Sequence, residues 1–389
     1  MKLALNNNYT LLMIMLNPAK KLSLKAELID AAIKNTIPWE ELLYQANIQM
    51  CTPLWYAQLK SDDLLNYLPD DLVLYLAEIY QANKFRNQQL QTALVDLLTE
   101  FNSQSIDSLL LKGAATFCDH LFTHSGSRFM GDLDILVGDD KLEACVQILQ
   151  DLGYKKLPNQ NIEADNLATN VRHHQLPRYI LPGTPVAVEI HFKISYGLAG
   201  RIISAESAWK NCRETSIMGQ KTFVLSADNK LLLNTVHALL PYREFINGQV
   251  SLIHLSEFVL LAQHYTDSID WKNWFKNAHQ YTLTNEFKAY LGLAVHFMGL
   301  SLDNTSYNKT QFPFSKRILF IGAYNATLTK DKLSFYSKIE YSAYRLYYFA
   351  KLPAWMWKNL CYARGWKNLP VRIYFCFKKM LSSYSWSKL

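Results

Sequence analysis

Residues 131–137 (GDLDILV) set two aspartates, Asp132 and Asp134, two positions apart among apolar neighbours. In a β-strand, side chains alternate between faces, so this spacing turns both carboxylates to one side with their backbones roughly 6.6 Å apart. Leu133 and Ile135 then face the other way, into a core. Two carboxylates held on one face repel each other unless a cation stands between them. The pattern therefore calls for a hard metal ion with oxygen ligands, the kind of centre used in phosphoryl and nucleotidyl transfer. Taken alone, the same spacing also fits an edge strand with acidic residues facing solvent; the apolar flanks and Gly131 argue for the buried reading.

The rest of the chain is compatible with a globular protein of two or three packed units. Its 389 residues are 50% apolar and only 19% charged, which excludes broad disorder. Six cysteines (51, 118, 145, 212, 361 and 376) are scattered without the close pairs of zinc ribbons or disulfide frameworks, so they read as thiols in a reducing compartment. The apolar stretch 9–16 has no basic leader and no small-residue cleavage site, and no apolar run approaches the ~20 residues of a membrane span. A cytoplasmic address is the expectation.

Residues 22–104 carry helical periodicity, with Leu24, Leu28, Ala31 and Ala32 on one face, a helix start at Pro38-Trp39-Glu40-Glu41, and a long amphipathic stretch of one or two helices from Asp70 to Phe101. The texture changes at Ile106. A short apolar strand (108–111) ends at Lys112-Gly113, a helix is expected over 114–122, and the aspartate strand over 132–137. A helix over 141–152 closes at Gly153, and two strands follow, 179–181 and 186–194. Helical periodicity returns over 227–300.

Two further elements of this α/β unit carry chemistry. Lys112-Gly113 lies where a strand opens into a helix. The free N–H groups of a helix N-terminus hold phosphate, Gly113 allows close backbone approach, and Lys112 or Arg128 would neutralise phosphate oxygens. The plainer alternative is an ordinary turn with a solvated lysine. Glu189, on the apolar strand with His191 two residues on, supplies a third carboxylate that would complete a metal site and help deprotonate an attacking hydroxyl. As an isolated feature it also fits a surface glutamate, and His191 reads as a structural partner more than a ligand. Of the loop histidines His173 and His174, one either reaches the site or bonds to backbone. His237 reads as a core residue.

These residues together carry a resemblance. The runs LLLKGAA (109–115), RFMGDLDILV (128–137), Gly153-Tyr154, His173-His174 and VEIHF (188–192) resemble the uncharacterised nucleotidyltransferase family related to the polymerase-β superfamily. Trp39 to Leu43, Pro53 to Tyr56, His237 and Asp270-Trp271 extend the likeness over residues 25–300. The resemblance implies an α+β fold, a small mixed-sheet nucleotidyltransferase core flanked by N-terminal and C-terminal helical regions. It further implies that Asp132, Asp134 and Glu189 bind one or two Mg²⁺ ions and form the catalytic set, with Lys112, Gly113 and Arg128 near a nucleoside triphosphate. ATP is the expected donor, its NMP group passing to a hydroxyl acceptor that the sequence does not specify. Ala114 stands where the wider superfamily has serine. The corresponding division is 1–105 helical, 106–225 core, 226–305 helical and 306–389 a basic aromatic C-terminal region.

That last region holds the chain's basicity. After Glu340 there is no acidic residue, and the nine basic ones exceed the whole net charge of +7, leaving residues 1–340 at −2. Fourteen aromatic residues, Trp355, Trp357, Trp366 and Trp386 among them, are interleaved with the lysines and arginines of 341–389. Such a segment suits an anionic membrane surface, which would make the protein peripheral on the inner membrane face. It also suits, less well, single-stranded nucleic acid, or a helical cap with its aromatics packed inward. A competing functional reading is a non-catalytic partner protein that keeps the fold and binds a protein or membrane through this tail.

Overall fold

A computed structural model describes residues 8–157, 173–240 and 250–302, all of which fall in one compact unit, Met1–Leu333. The expectations for the tail, 306–389, lie outside the described residues.

The chain begins with α1 (Asn8–Leu16), in which every residue from Tyr9 to Leu16 is buried. The apolar stretch 9–16 is thus a core helix, packed against α3 (Trp39–Ile48) and α4 (Thr52–Ser61). Between them, α2 (Leu22–Ile33) buries Leu28, Ala31 and Ala32, the face that its periodicity marks. The long amphipathic stretch is one continuous helix, α5 (Asp70–Ser103), 34 residues or roughly 50 Å in length.

The sheet follows. Its strands are β1 (Leu109–Leu110), β2 (Leu133–Leu136), β3 (Lys155–Lys156), β4 (Tyr179–Ile180), β5 (Ala187–His191), β6 (Cys212–Ile217) and β7 (Gln220–Leu225), in the order β3-β4-β5-β2-β1-β7-β6. The aspartate strand β2 is therefore central, flanked by β5 in parallel and β1 in antiparallel pairing. Leu133 and Ile135, with Val188 and Ile190 of β5, pack in one core with Leu94, Leu97 and Phe101 of α5 and with Ile148 and Leu149 of α7 (Leu142–Asp151). Each such side chain contributes roughly 1.5–3 kcal/mol by leaving water. Asp134, between Leu133 and Ile135, is left on the opposite face.

Three details differ from the sequence reading. Residue 132 lies just ahead of the ladder, which opens at Leu133↔Val188. The helix expected over 114–122 is α6 (Lys112–Asp119), entered through Lys112 at φ +45 and ended by left-handed His120. A β6–β7 hairpin was not anticipated. Its two-residue turn, Met218-Gly219, has φ +48 and +83, the geometry of a type I′ turn, but methionine stands where asparagine usually signals one.

After two short helices, α8 (Ala199–Ile202) and α9 (Ala205–Lys210), and the hairpin, the chain forms α10 (Ala227–Leu239), α11 (Leu252–His264), α12 (Trp271–Gln280) and α13 (Thr284–Phe297). The α10–α11 pair faces α6 and supplies a wall opposite the sheet residues of the site. No helix among the described residues is long and apolar enough to cross a membrane. The cysteines described, 51, 118, 145 and 212, are free thiols.

Candidate active site

The loop that delivers Asp132 is fixed by its backbone. Asn83, Arg86 and Asn87 lie at i, i+3 and i+4 on α5, hence on one face. The Asn83 amide donates to the carbonyls of Gly126 (2.7 Å) and Arg128 (3.0 Å), and that of Asn87 to Ser125 (2.7 Å) and Arg128 (2.9 Å). Arg86 donates to Met130 (2.9 Å) and Gly131 (3.2 Å) and stacks on the Phe129 ring. Gly126 is required by this close approach: a Cβ there would stand 2.7 Å from the Tyr80 ring.

The three carboxylates converge through sheet register. Parallel pairing sets Asp134 directly beside Glu189, and Leu136 beside His191. Neighbouring strands are about 4.8 Å apart, so two buried like charges need compensation. Asp134 Oδ1 receives it from Lys112 Nζ at 2.6 Å and His191 Nε2 at 2.8 Å. Burial pushes the Asp134 carboxyl up, but Lys112 and His191 outweigh it and hold the group well below the usual carboxylate range. Burial likewise pulls the Lys112 ammonium down, and Asp134, with Asp132 and Glu189, more than restores it. For Asp132, burial and then the charges of Asp134 and Glu189 push the carboxyl up to about 6.

Arg178, one residue ahead of β4, joins the other two carboxylates. Its Nε and Nη2 both reach Glu189 Oε1, at 2.8 and 2.7 Å, and Nη2 also bonds Asp132 Oδ2. Each carboxylate thus commits one oxygen to a cation and keeps another: Oδ1 of Asp132, Oδ2 of Asp134 and Oε2 of Glu189.

The donor set fits a divalent cation. Ligand atoms of Asp134, Glu189 and His191 lie within 4.8 Å of one another, and three uncommitted carboxylate oxygens are hard donors of the type that Mg²⁺ and Mn²⁺ take. Asp132 stands outside that closest group, drawn toward Arg178. His191 fits an orienting role better than a ligand role. With Nε2 donating to Asp134, its buried Nδ1 has no hydrogen-bond partner, whereas metal-bound imidazoles donate the second N–H to an acceptor.

A cavity of about 730 Å³ opens over these groups, within the range of small-molecule sites. All six residues singled out from the sequence, Lys112, Gly113, Arg128, Asp132, Asp134 and Glu189, line it. Gly113 has a steric reason: a Cβ would come within 3.0–3.1 Å of Met130 and of Arg128 Nη1. Arg128 spends much of its charge on the wall, with Nε and Nη2 each 2.7 Å from Glu257 Oε2 of α11. Ala114 is buried in the apolar core, and α6 brings a hydroxyl to the cavity from Thr116, which donates to the Gly113 carbonyl at 2.6 Å.

His174, beside His191 and Tyr196, also lines the cavity, and burial lowers it to about 3. His237 belongs to the wall as well, with its ring edge-to-face against His254. The residues that sequence reasoning missed are Arg178, Glu257 and the polar face of α5. Only the last had a local signal, two asparagines and an arginine interrupting an amphipathic helix at i, i+3 and i+4.

No curated protein and no solved structure matches the chain. Residues 35–299, which contain both the sheet and the cavity wall, match the model of a family described as uncharacterised nucleotidyltransferase. With two thirds of its length matched and the aspartate strand inside that match, this chain belongs to the uncharacterised nucleotidyltransferase family.

Proposed function

We propose that the cavity binds a nucleoside triphosphate, ATP by expectation, and transfers its NMP group to a hydroxyl acceptor. The observation that carries this reading is the β2–β5 register, which sets Asp134 beside Glu189, with Asp132 and Lys112 at the same cavity. Asp132, Asp134 and Glu189 would hold one or two Mg²⁺ ions through the oxygens they keep uncommitted. Bound there, the metal would supply positive charge to the α-phosphate and to the leaving pyrophosphate.

The remaining roles belong to the chain's own groups. Lys112 fixes Asp134 and brings an ammonium to the cavity, while the N-terminus of α6 directs backbone N–H groups and a partial positive charge toward it. Gly113 leaves room for a phosphate where a Cβ would crowd Met130 and Arg128. Glu189 completes the donor set with Oε2 and supplies the third carboxylate beside which an attacking hydroxyl would be deprotonated. His191 orients Asp134, and Arg128, anchored by Glu257, shapes the far side of the pocket.

The test uses labelled nucleotides. Wild type incubated with each NTP is expected to bind at least one of them only when Mg²⁺ is present, and Asp134→Asn is expected to abolish that binding. If neither protein binds a nucleotide in a metal-dependent way, the reading fails.

A further inference from the structure

Arg178 occupies a position from which a single guanidinium reaches two of the proposed metal ligands, Asp132 and Glu189. The antiparallel β4–β5 register (Tyr179↔Val188) continues to place residue 178 opposite Glu189, so the pairing is built into the sheet. Its carbonyl is held as well, accepting from Leu157 N at 2.9 Å. The guanidinium binds Glu189 Oε1 through two nitrogens and Asp132 Oδ2 through one of them. It thereby neutralises the pair that would otherwise repel and bridges Asp132 to Glu189 through one nitrogen.

A divalent ion shared by the three carboxylates would place two positive charges against that guanidinium. Like charges at such range repel strongly where water is partly excluded. Lys112, 22% exposed, is tied to the buried Asp134, whereas the Arg178 side chain is 34% exposed and lines the cavity. Arg178 is therefore the cation able to leave. Once displaced it has five donors in a planar fork, the geometry that matches phosphate oxygens, and the cavity is where a polyphosphate would lie.

We infer that Arg178 is an internal counter-ion that a metal–polyphosphate complex displaces from Asp132 and Glu189 and that then binds the polyphosphate. Resting on the proposed nucleotidyl-transfer reading, it makes Arg178 a substrate-binding residue that couples metal loading to nucleotide binding. Metal alone must compete with the guanidinium. Metal with nucleotide gives the guanidinium a new partner, so each ligand strengthens the other by the same factor.

The experiment measures free Mn²⁺ by electron paramagnetic resonance over the full chain, with and without a non-hydrolysable ATP analogue. In wild type, Mn²⁺ alone is expected to bind weakly and the analogue to tighten it. In Arg178→Gln, Mn²⁺ alone is expected to bind about tenfold more tightly, and the tightening by analogue to shrink by a similar factor. Arg178→Lys, which keeps the charge but not the fork, is expected to fall between them and decides the matter if Arg178→Gln does not fold. Wild-type Mn²⁺ affinity and wild-type tightening in the folded variants would overturn the inference. Asp134→Asn separates the two levels: if it binds Mn²⁺ and analogue as wild type does, or if wild type binds neither, the nucleotidyltransferase reading falls and this inference with it. If wild type binds both through Asp134 but Arg178→Gln is unchanged, only the inference falls.

Discussion

Removing the Glu257 carboxylate is expected to be among the most damaging single changes in the cavity wall. Arg128 and Glu257 form a buried pair, with side chains 10% and 7% exposed. Both Nε and Nη2 of Arg128 depend on Glu257 Oε2, and only Nη1 has another acceptor, the Phe129 carbonyl at 2.9 Å. Glu257→Ala therefore strands two donors of a buried cation. Each buried donor left unmade costs about 1–3 kcal/mol, in line with the ~3–5 kcal/mol typical of breaking one side of a buried pair. Because Arg128 borders the cavity, water offsets part of this, and about 3 kcal/mol is the working figure. At roughly 2–4 °C per kcal/mol, the melting temperature should fall by ~6–12 °C. Thermal melts of the full chain by circular dichroism measure it. Glu257→Gln, which keeps an acceptor, should lose about half as much. The double change Arg128→Met with Glu257→Leu should melt above Glu257→Ala, since an apolar pair carries no stranded charge. An alanine variant that melts within a degree or two of wild type would refute the argument.

Two other outcomes follow from the same structure. Gly126→Ala would drive a Cβ to 2.7 Å from the Tyr80 ring and 3.0 Å from its carbonyl, and should cost about 1–3 kcal/mol in urea unfolding; a cost below ~0.5 kcal/mol would show that α5 yields there. Acidification should also destabilise the fold. Burial, then the charges of Arg128 and Lys112, lowers His254 to about 3; burial and then His254 lower His237; and burial lowers His174 to about 3. An unfolded histidine takes up its proton near pH 6.5 while the folded one refuses it, so this stability is present above 6.5 and is lost as pH falls from 6.5 toward 3. Asp132, raised to about 6, opposes the trend between 6 and its unfolded value near 3.8, but three histidines outnumber it. The urea midpoint should drop between pH 7.5 and 5.5, with a shallower drop in His254→Phe; equal wild-type midpoints would count against this account.

The centre of the site was legible because its signal is local. Alternation around Asp134 is a period-two pattern that a strand must express, and Glu189 sits in a second such pattern. Lys112-Gly113 marks a strand-to-helix turn for the same reason. What escaped the sequence depends on pairing at a distance. Arg178 becomes a partner of Glu189 only through the β4–β5 register, and of Asp132 only through the sheet order. Glu257 meets Arg128 only once α11, paired with α10, comes against the loop. The β6–β7 hairpin was hidden for a local reason, since Met218 carries none of the usual turn chemistry.

The grip of α5 on the loop before Asp132 has an evolutionary consequence. Asn83, Arg86 and Asn87 bind carbonyl oxygens, which every residue type possesses. Drift in the side chains of Ser125 and Ser127 therefore leaves those bonds in place, while drift in three positions of a helix some forty residues upstream removes them. The course of the loop is thus encoded on α5, and substitutions at those three helix positions should disturb Asp132 more than substitutions of the loop's own serine side chains.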